Sequence, residues 1–315
     1  MKTNSYKGHL AMLGANIMWG LMSPASKAVL LFGPISAFAL TTFRMLGASI
    51  VFWIASCFMK KEHVSPQDLM ALFFAALSGI VFNQGSFIFG VALTSPIDAS
   101  IVTTTTPIIT LIIAAIYLKE PITGKKLLGI FAGALGAGLL IISGQKNNVQ
   151  TDSDTRIWGD LLCLFAQFSF SIYIVVFKKL ISKYSPVTLM KWMFTYASIC
   201  TIPFSYNDLA NIDFSIIPPH IYGNIALIIL GGTFFSYLLV PIGQRLLRPT
   251  VACMYNYVQP IVATIISVCF GMDTFGPMKF VAVFLVFLGV FMVTQSKSRE
   301  QMEKEALLKQ ESSTE

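Results

Sequence analysis

Long apolar runs separated by short polar stretches dominate the hydrophobic pattern of this chain. An α-helix needs about 20 apolar residues to cross a bilayer core about 30 Å thick. The pattern predicts ten such spans, at residues 8–30, 34–59, 68–93, 96–118, 124–143, 157–182, 186–205, 219–244, 249–270 and 276–295. Several spans begin at a proline, which fits a first helical turn because its N–H would have no partner there: Pro34, Pro96, Pro186, Pro219 and Pro249. We therefore expect an all-α integral membrane protein.

The composition also indicates that lipid, and not water, is the main solvent. Of the 315 residues, 55% are hydrophobic and 12% are charged, and the mean hydropathy is +0.71. Soluble domains contain about 25% charged residues, so this balance excludes a cytosolic enzyme, a disordered chain and a disulfide-rich secreted protein. The five cysteines are Cys57, Cys163, Cys200, Cys253 and Cys269. They stand singly in apolar stretches without metal-ligand spacing, so we expect them to be small core residues and not metal or disulfide sites. No cofactor is expected.

The basic residues follow the predicted topology. With the N-terminus in the cytoplasm, 17 of the 22 lysines and arginines fall on the cytoplasmic side of the spans. Such an asymmetry orients membrane proteins, so both termini are expected in the cytoplasm, with residues 296–315 as a solvated tail. Because these charges lie in loops, the net charge of +7 does not indicate a nucleic-acid partner.

An internal repeat relates the two halves of the chain. An offset of 153 positions aligns residues 79–138 with 232–291 at 14 identical positions. Each half, 1–145 and 157–295, then holds five predicted spans, and because five is odd the second half enters the membrane in the opposite sense. Ten helices in two inverted five-helix repeats are typical of secondary carriers, which bind substrate near the midplane. The identical pairs include Gly79/Gly232, Gly90/Gly243, Pro96/Pro249, Pro107/Pro260 and Gly136/Gly289.

Several motifs, in their order along the chain, resemble the EamA-type carriers of the drug/metabolite transporter superfamily. They are Trp19-Gly20, Phe43-Arg44, Leu118-Lys119-Glu120-Pro121 after the Pro107 segment, and a glycine-rich fifth span. The resemblance covers residues 8–295, but Gly271-Met272-Asp273 replaces Leu-Lys-Glu in the second half and no arginine there matches Arg44. It implies ten helices around a central cavity, alternating access, and export of amino acids or related small metabolites across a bacterial inner membrane.

Arg44 is a charged residue about ten positions into the second predicted span, which places it near the midplane. Charged side chains are costly at that depth and are candidates for function. Arg44 either neutralises a substrate carboxylate or holds a gate, or it is a structural arginine bonded to carbonyls and hydroxyls of neighbouring helices. Its expected presence across the family, whatever the substrate, slightly favours the structural interpretation.

Two proline motifs at repeat-equivalent positions supply further candidates. Pro107 and Pro260 each lie eleven residues after the proline that opens their span, and a proline displaces the carbonyl four residues before it. Displaced carbonyls beside polar side chains predict a substrate-binding surface, with interhelical hydrogen bonds at a kink as the alternative. The candidates, spaced about one helical turn apart, are Thr103, Thr106, Tyr255, Asn256 and Gln259.

Other polar and aromatic residues lie inside the predicted spans. The repeat pairs Asn83-Gln84 with Ser236-Tyr237, and Trp19 lies deeper than interfacial tryptophans, which favours a cavity wall. For each of them, packing or a helix–helix hydrogen bond is about as well supported as substrate contact. These candidates are Asn16, Trp19, Asn83, Gln84, Gln167 and Tyr237.

Acidic residues are missing from the interiors of the predicted spans. Asp98, at the outer end of the fourth span, is the nearest, and helix capping is its expected role. Facilitated exchange or uniport of a small molecule is favoured, with proton antiport left open, and a single arginine disfavours polyphosphates. The alternative is a membrane-embedded lipid or prenyl transferase, but the three histidines are scattered at span ends and no paired acidic motif accompanies them. A channel is disfavoured because the sequence has no carbonyl-filter motif.

Overall fold

The computed structural model describes residues 2–93, 102–143, 153–269, 276–296 and 302, which form helices and contain no strand. Two π-helical segments, Leu77–Phe82 and Ile228–Phe235, and two 3₁₀ turns, Phe214–Ile216 and Tyr255–Tyr257, join some of the α-helices. The α-helices are α1 (Lys2–Phe32), α2 (Ala37–Cys57), α3 (Pro66–Ala76), α4 (Asn83–Leu93), α5 (Thr106–Tyr117), α6 (Gly124–Ser143), α7 (Ser153–Val176), α8 (Lys178–Lys183), α9 (Pro186–Ala210), α10 (Pro219–Leu227), α11 (Ser236–Leu246), α12 (Pro249–Met254), α13 (Val258–Cys269) and α14 (Pro277–Thr294).

Five helical stretches are long and apolar enough to cross a membrane, judged by length and composition within the described residues. They are Ala37–Cys57, Pro66–Gly90, Ile157–Val176, Pro219–Leu246 and Pro277–Thr294. The prediction of an all-helical membrane protein is therefore confirmed, whereas ten spans remain a prediction. The start of the predicted span 96–118 and nearly all of the tail 296–315 lie outside the described residues.

Prolines and hydroxyl side chains begin several helices. Pro186, Pro219 and Pro249 occupy first-turn positions as predicted. Pro34 does not, because Ser36 caps α2 by accepting a hydrogen bond from the Ala39 amide at 3.1 Å, so that the helix begins three residues after the proline. Pro96 lies outside the described residues.

The two π-helical segments occupy equivalent places in the two halves. Their last residues, Phe82 and Phe235, are 153 positions apart, which is the offset of the sequence repeat. Each segment directly precedes a polar pair, Asn83-Gln84 or Ser236-Tyr237. A π-turn holds one more residue than an α-turn, so these segments set the direction in which the two polar pairs point.

Helices of one half pack on helices of the other half. A Cβ atom added to Gly79 would lie 2.6 Å from Cγ of Tyr173, and one added to the equivalent Gly232 would lie 2.6 Å from Sδ of Met22. The α3–α4 stretch therefore packs closely on α7, and the α10–α11 stretch packs on α1. Each half therefore packs through equivalent helices on the first helix of the other half.

Helices α6 and α14 pack against each other through glycines and run in opposite directions. A Cβ atom on Gly289 would lie 2.5 Å from the carbonyl oxygen of Gly129, and one on Gly136 would lie 2.5 Å from that of Ala282. Gly129 and Ala282 are repeat-equivalent, as are Gly136 and Gly289. Each helix therefore presents the same patch to the other, which is the pattern of a twofold contact.

The outer face of α14 is apolar and exposed, as expected of a helix in lipid. Large side chains project from it at Phe280, Phe284 and Phe291, whose exposed fractions are 69%, 61% and 61%. Its inner face carries the small residues Ala282 and Gly289, which are buried against α6. The same buried face also carries Lys279, Val286 and Val293.

The cysteines divide by position, which corrects one expectation. Cys163 and Cys253 are buried as predicted, and Cys200 is half-buried. Cys57 and Cys269 are exposed because each is the last residue of its helix, so the prediction that all five are core residues was wrong for these two. All five thiols are free.

Candidate functional site

Arg44 lies in the interior, with 6% of its surface exposed. Its Nε donates to the hydroxyl of Thr233 at 3.2 Å, and its Nη1 donates to Oε1 of Gln84 at 3.2 Å. Its Nη2 is buried and has no hydrogen-bond partner within the described part of the chain. The guanidinium thus joins α2 to the π-helical segment Ile228–Phe235, through Thr233, and to the start of α4, through Gln84. One of its donor groups stays unused.

Gln84 connects Arg44 to an aromatic cluster. Its amide nitrogen donates to Oδ1 of Asn83 at 2.9 Å and to the hydroxyl of Tyr237 at 3.3 Å. The Tyr237 ring meets the Trp19 ring edge-on at a centroid distance of 5.6 Å and the Phe194 ring at 5.0 Å. The structure therefore brings together five of the predicted residues: Trp19, Arg44, Asn83, Gln84 and Tyr237.

Two hydrogen bonds join residues at equivalent positions of the sequence repeat, which are 153 positions apart. One is the bond of Gln84 to Tyr237. In the other, the hydroxyl of Tyr257 donates to the carbonyl oxygen of Thr104 at 2.9 Å. Equivalent residues can contact each other only where the symmetry axis passes between them. These two hydrogen bonds therefore mark the line along which the halves meet.

Four of the predicted residues form two equivalent hydrogen bonds, one on either side of that line. Thr106 donates to Oε1 of Gln167 at 2.9 Å, and Gln259 donates through Nε2 to Oδ1 of Asn16 at 2.9 Å. Thr106 and Gln259 are 153 positions apart, whereas Asn16 and Gln167 are 151 apart, the spacing that also aligns Lys27 with Lys178. Each bond ties a proline motif of one half to the first helix of the other.

A second such pair of bonds lies next to the polar pairs. Asn83 donates through Nδ2 to the carbonyl oxygen of Ala166 at 2.9 Å. The hydroxyl of Ser236 donates to the carbonyl oxygen of Ala15 at 3.3 Å. These bonds fix the orientation of Asn83 and Ser236. The residues that follow them in the chain are Gln84 and Tyr237, which bond each other. The network is therefore built to nearly the same plan from both halves.

Turns interrupt the helix at both proline motifs, and hydrogen bonds within the protein satisfy part of the backbone there. In the first half, the Thr106 hydroxyl also lies 2.6 Å from the carbonyl oxygen of Thr103, so that its one proton is shared between Thr103 and Gln167. In the second half, a 3₁₀ turn at Tyr255–Tyr257 interrupts the helix. The hydroxyl of Tyr255 lies 2.7 Å from Nδ1 of His9. Asn256 is half-buried, and its side chain has no hydrogen bond within the described residues.

Several residues of this network do not stand out in the sequence. Thr233 accepts a hydrogen bond from Arg44, and the Phe194 ring packs on the Tyr237 ring. Gln244 accepts a hydrogen bond from Tyr173 at 3.3 Å, and its own buried amide nitrogen has no partner within the described chain. The repeat could have indicated Tyr257, since it is equivalent to Thr104 in the polar motif. Asp98 lies outside the described residues.

No group of three histidine, cysteine or acidic side chains in the described ranges is arranged to hold a metal ion. The chemistry that the network offers is therefore hydrogen bonding, one guanidinium charge and aromatic contact. These interactions suit binding of a small polar molecule.

At one end of the molecule, two carboxylates tie the α2–α3 region to the α8–α9 region. Glu62 accepts hydrogen bonds from the amide and the hydroxyl of Ser185, at 3.0 and 2.8 Å, and Asp68 lies 2.5 Å from Nζ of Lys183. Partial burial alone would raise the pKa of Glu62, but hydrogen bonds from Thr188 and Ser185 lower it below its usual value. The hydrogen bond to Asp68 raises the pKa of Lys183.

Replacing Glu62 by glutamine should make the stability of the protein less dependent on acid pH. A depressed carboxyl pKa contributes stability that is present above its usual value of 4.5 and is lost as the pH falls through the lower folded value. Because Glu62 is largely solvated, we expect a difference of about 1 kcal/mol or less at pH 7, shrinking below pH 4.5. Thermal unfolding of both proteins in detergent between pH 7 and 3.5 measures it, and identical pH profiles would contradict the prediction.

The profile of the EamA-like transporter family matches residues 6–142 and 157–295, once in each half. An uncharacterized transporter of Bacillus subtilis, YyaM, is 24% identical over 86% of this chain and 84% of its own length. An uncharacterized transporter of Archaeoglobus fulgidus is 29% identical over 70% of this chain and 74% of its own length.

Two further similarities extend over most of the chain. The uncharacterized inner membrane transporter YicL of Salmonella typhimurium is 19% identical over 93% of this chain and 97% of its own length. A solved crystal structure superposes with a TM-score of 0.76 at 14% identity, covering 91% of this chain and 98% of the other. At that identity the superposition establishes the fold alone.

Proposed function

Since the chain belongs to the EamA-like transporter family, we propose that it is a secondary transporter that moves amino acids or similar small metabolites by alternating access. Family membership and the named relatives confirm the resemblance to the drug/metabolite transporter superfamily, so the chain is a multi-pass membrane transporter. The location that we propose is the inner (plasma) membrane. The basic loop residues and the relative named as an inner membrane transporter support it.

Inverted repeats are part of this proposal. The reciprocal contacts of α6 with α14 support them, because equivalent helices that pack antiparallel are related by an axis perpendicular to their length. The axial hydrogen bonds of Gln84 with Tyr237 and of Thr104 with Tyr257 agree with the same axis. In a membrane, such an axis lies in the bilayer plane and turns one half upside down relative to the other.

Ten spans are the second part of the proposal. Besides the five apolar stretches, α1, α6 and α9 contain 31, 20 and 25 residues, each long enough to cross the hydrocarbon core. The last two of the ten proposed spans are interrupted near a proline. One contains α5, and the other contains α12 and α13. Their polar turns lie in the protein interior, which is where a membrane tolerates non-helical backbone.

A single observation carries the proposed mechanism: polar side chains from both halves meet in the interior around Arg44, Gln84 and Tyr237. Buried polar groups at the junction of two related halves are what a carrier needs, because each half contributes contacts that a rocking motion can make and break. The hydrogen bonds of Asn16 with Gln259 and of Thr106 with Gln167 extend this junction to the proline motifs.

Counterflow in liposomes tests the proposal. Purified protein is reconstituted, the vesicles are loaded with one unlabelled amino acid or common metabolite at a time, and uptake of the same labelled compound is followed with and without a pH gradient. We expect saturable exchange of at least one compound, absent from protein-free vesicles and independent of the gradient. Transport only with a gradient would point to proton coupling and to Asp98, whereas absence of flux for every compound would favour a membrane-embedded transferase.

Cysteine labelling tests the proposed topology. In a cysteine-free background, Lys60→Cys should react with an impermeant maleimide only from the cytoplasmic side, and Lys146→Cys only from the outside. The expected contrast follows because these positions flank an odd number of proposed spans. Labelling of both positions from the same side would contradict the ten-span arrangement.

A further inference from the structure

We propose that the group recognised by this transporter is a carboxylate of the substrate, bound between Nη2 of Arg44 and the hydroxyl of Tyr237. The inference rests on the proposed function and specifies its substrate class. Small molecules with one carboxylate, amino acids among them, belong to this class, whereas their amides, esters and simple amines do not.

The charge of Arg44 requires an anion. Its described hydrogen-bond partners, Thr233 and Gln84, are neutral, and no carboxylate in the described ranges contacts it. A buried, uncompensated guanidinium is costly, and the cost falls when an anion reaches it. The unused Nη2 group supplies donors in the planar arrangement that matches a carboxylate.

Tyr237 supplies a second donor beside the first. Its oxygen accepts a hydrogen bond from Gln84, and within the described part of the chain its own proton is donated to no residue. The same Gln84 amide binds Arg44 through its oxygen, at 3.2 Å, and Tyr237 through its nitrogen, at 3.3 Å. One side-chain amide therefore contacts both residues that carry an unused donor, and a carboxylate has two oxygens with which to accept from them.

The two donors are less exposed than their neighbours. Arg44 and Tyr237 are 6% and 3% exposed, whereas Gln84, which contacts both, and Trp19, whose ring packs on Tyr237, are half-buried. We expect the apolar part of the substrate to face the Trp19 ring. The described cluster contains no acidic group for an ammonium, so an amino acid would be recognised by its carboxyl end. With a single cation, the site suits one carboxylate and not a polyphosphate.

Ligand-dependent thermal unfolding tests the inference separately from transport. Purified full-length protein is heated with sodium propanoate, with propanamide and with propylammonium chloride, each matched in ionic strength with sodium chloride. Propanoate should raise the unfolding temperature and the other two probes should not. In Arg44→Gln the propanoate shift should disappear, and in Tyr237→Phe the half-saturating concentration should rise about tenfold, as expected for one lost hydrogen bond to a charged group.

Two control variants and two contrary results complete the test. Lys60→Gln removes one exposed charge, and Tyr222→Phe removes an exposed hydroxyl that donates to the carbonyl oxygen of Phe214 and has no hydrogen bond to Arg44, Gln84 or Tyr237 in the described residues. Both should keep the wild-type propanoate shift. Equal shifts by propanoate and propanamide, or an undiminished shift in Tyr237→Phe, would overturn the inference even if Arg44→Gln does not fold. Because the assay does not depend on flux, a failure of transport and a failure of carboxylate binding are distinguishable.

Discussion

Replacing Gly136 by valine is expected to prevent α6 and α14 from packing, and so to cause the largest loss of stability of any single change considered. The added Cβ would lie 2.5 Å from the carbonyl oxygen of Ala282 and 2.9 Å from the amide nitrogen of Val286. Both atoms belong to the backbone, so no rotamer change relieves the clash, and the cost should be about 3 kcal/mol or more. Thermal unfolding and the yield of monodisperse protein in detergent measure it.

Gly138→Val is the matched control for this change. It lies on the same helix, and a Cβ atom added there meets nothing within 4 Å. Valine has a somewhat higher helix propensity than glycine, and this gain is the same for both substitutions, so the difference between the two variants isolates the helix contact. Equal unfolding temperatures for the two variants would contradict the close packing of α6 on α14.

Replacing Asn256 by alanine is expected to reduce transport at least about tenfold while leaving the unfolding temperature unchanged, because a polar ligand contact is worth about 1.5 kcal/mol or more. Asn256 is half-buried, and its side chain makes no hydrogen bond within the described residues, so its removal disrupts no described internal contact. Counterflow of the transported compound and thermal unfolding, measured on the same preparation, separate the two effects.

Two comparisons sharpen the interpretation of that result. Asn211→Ala removes the same group from an exposed position, where it donates to the carbonyl oxygen of Asn207, and should leave transport intact. Gln259→Ala should also lower transport but cost about 1–3 kcal/mol, because it leaves Oδ1 of the buried Asn16 without its donor. Wild-type flux in both Asn256→Ala and Gln259→Ala would remove the proline motifs from the proposed site.

The sequence predicts the helical membrane class because apolar runs leave no other solution, and it finds much of the polar centre because buried polar groups are rare in such runs. Asn83, Gln84 and Arg44 stand out for that reason, and the structure brings them into one network. Thr233 does not stand out, because a hydroxyl next to glycines is compatible with an ordinary packed helix. Its role depends on the approach of α2, which no local pattern encodes.

Long-range pairing is the part that local patterns could not supply. Asn16 and Gln259 are 243 positions apart, and only the crossing of α1 with the second proline motif brings them within 2.9 Å. The proline rule predicts that the Thr103 carbonyl lacks a helical N–H partner, but not that the Thr106 hydroxyl binds it. The 3₁₀ turn at Tyr255–Tyr257 alters the one-turn spacing on which the expected face of Tyr255 and Gln259 depended.

The two π-helical segments also carry information about the ancestry of the chain. A π-turn contains one residue more than an α-turn, so it corresponds to a one-residue insertion into a regular helix. Leu77–Phe82 and Ile228–Phe235 end at equivalent positions in halves that otherwise share few identical residues. A single insertion in an ancestral unit common to both halves would account for both segments, and it would then be older than the divergence of the two halves.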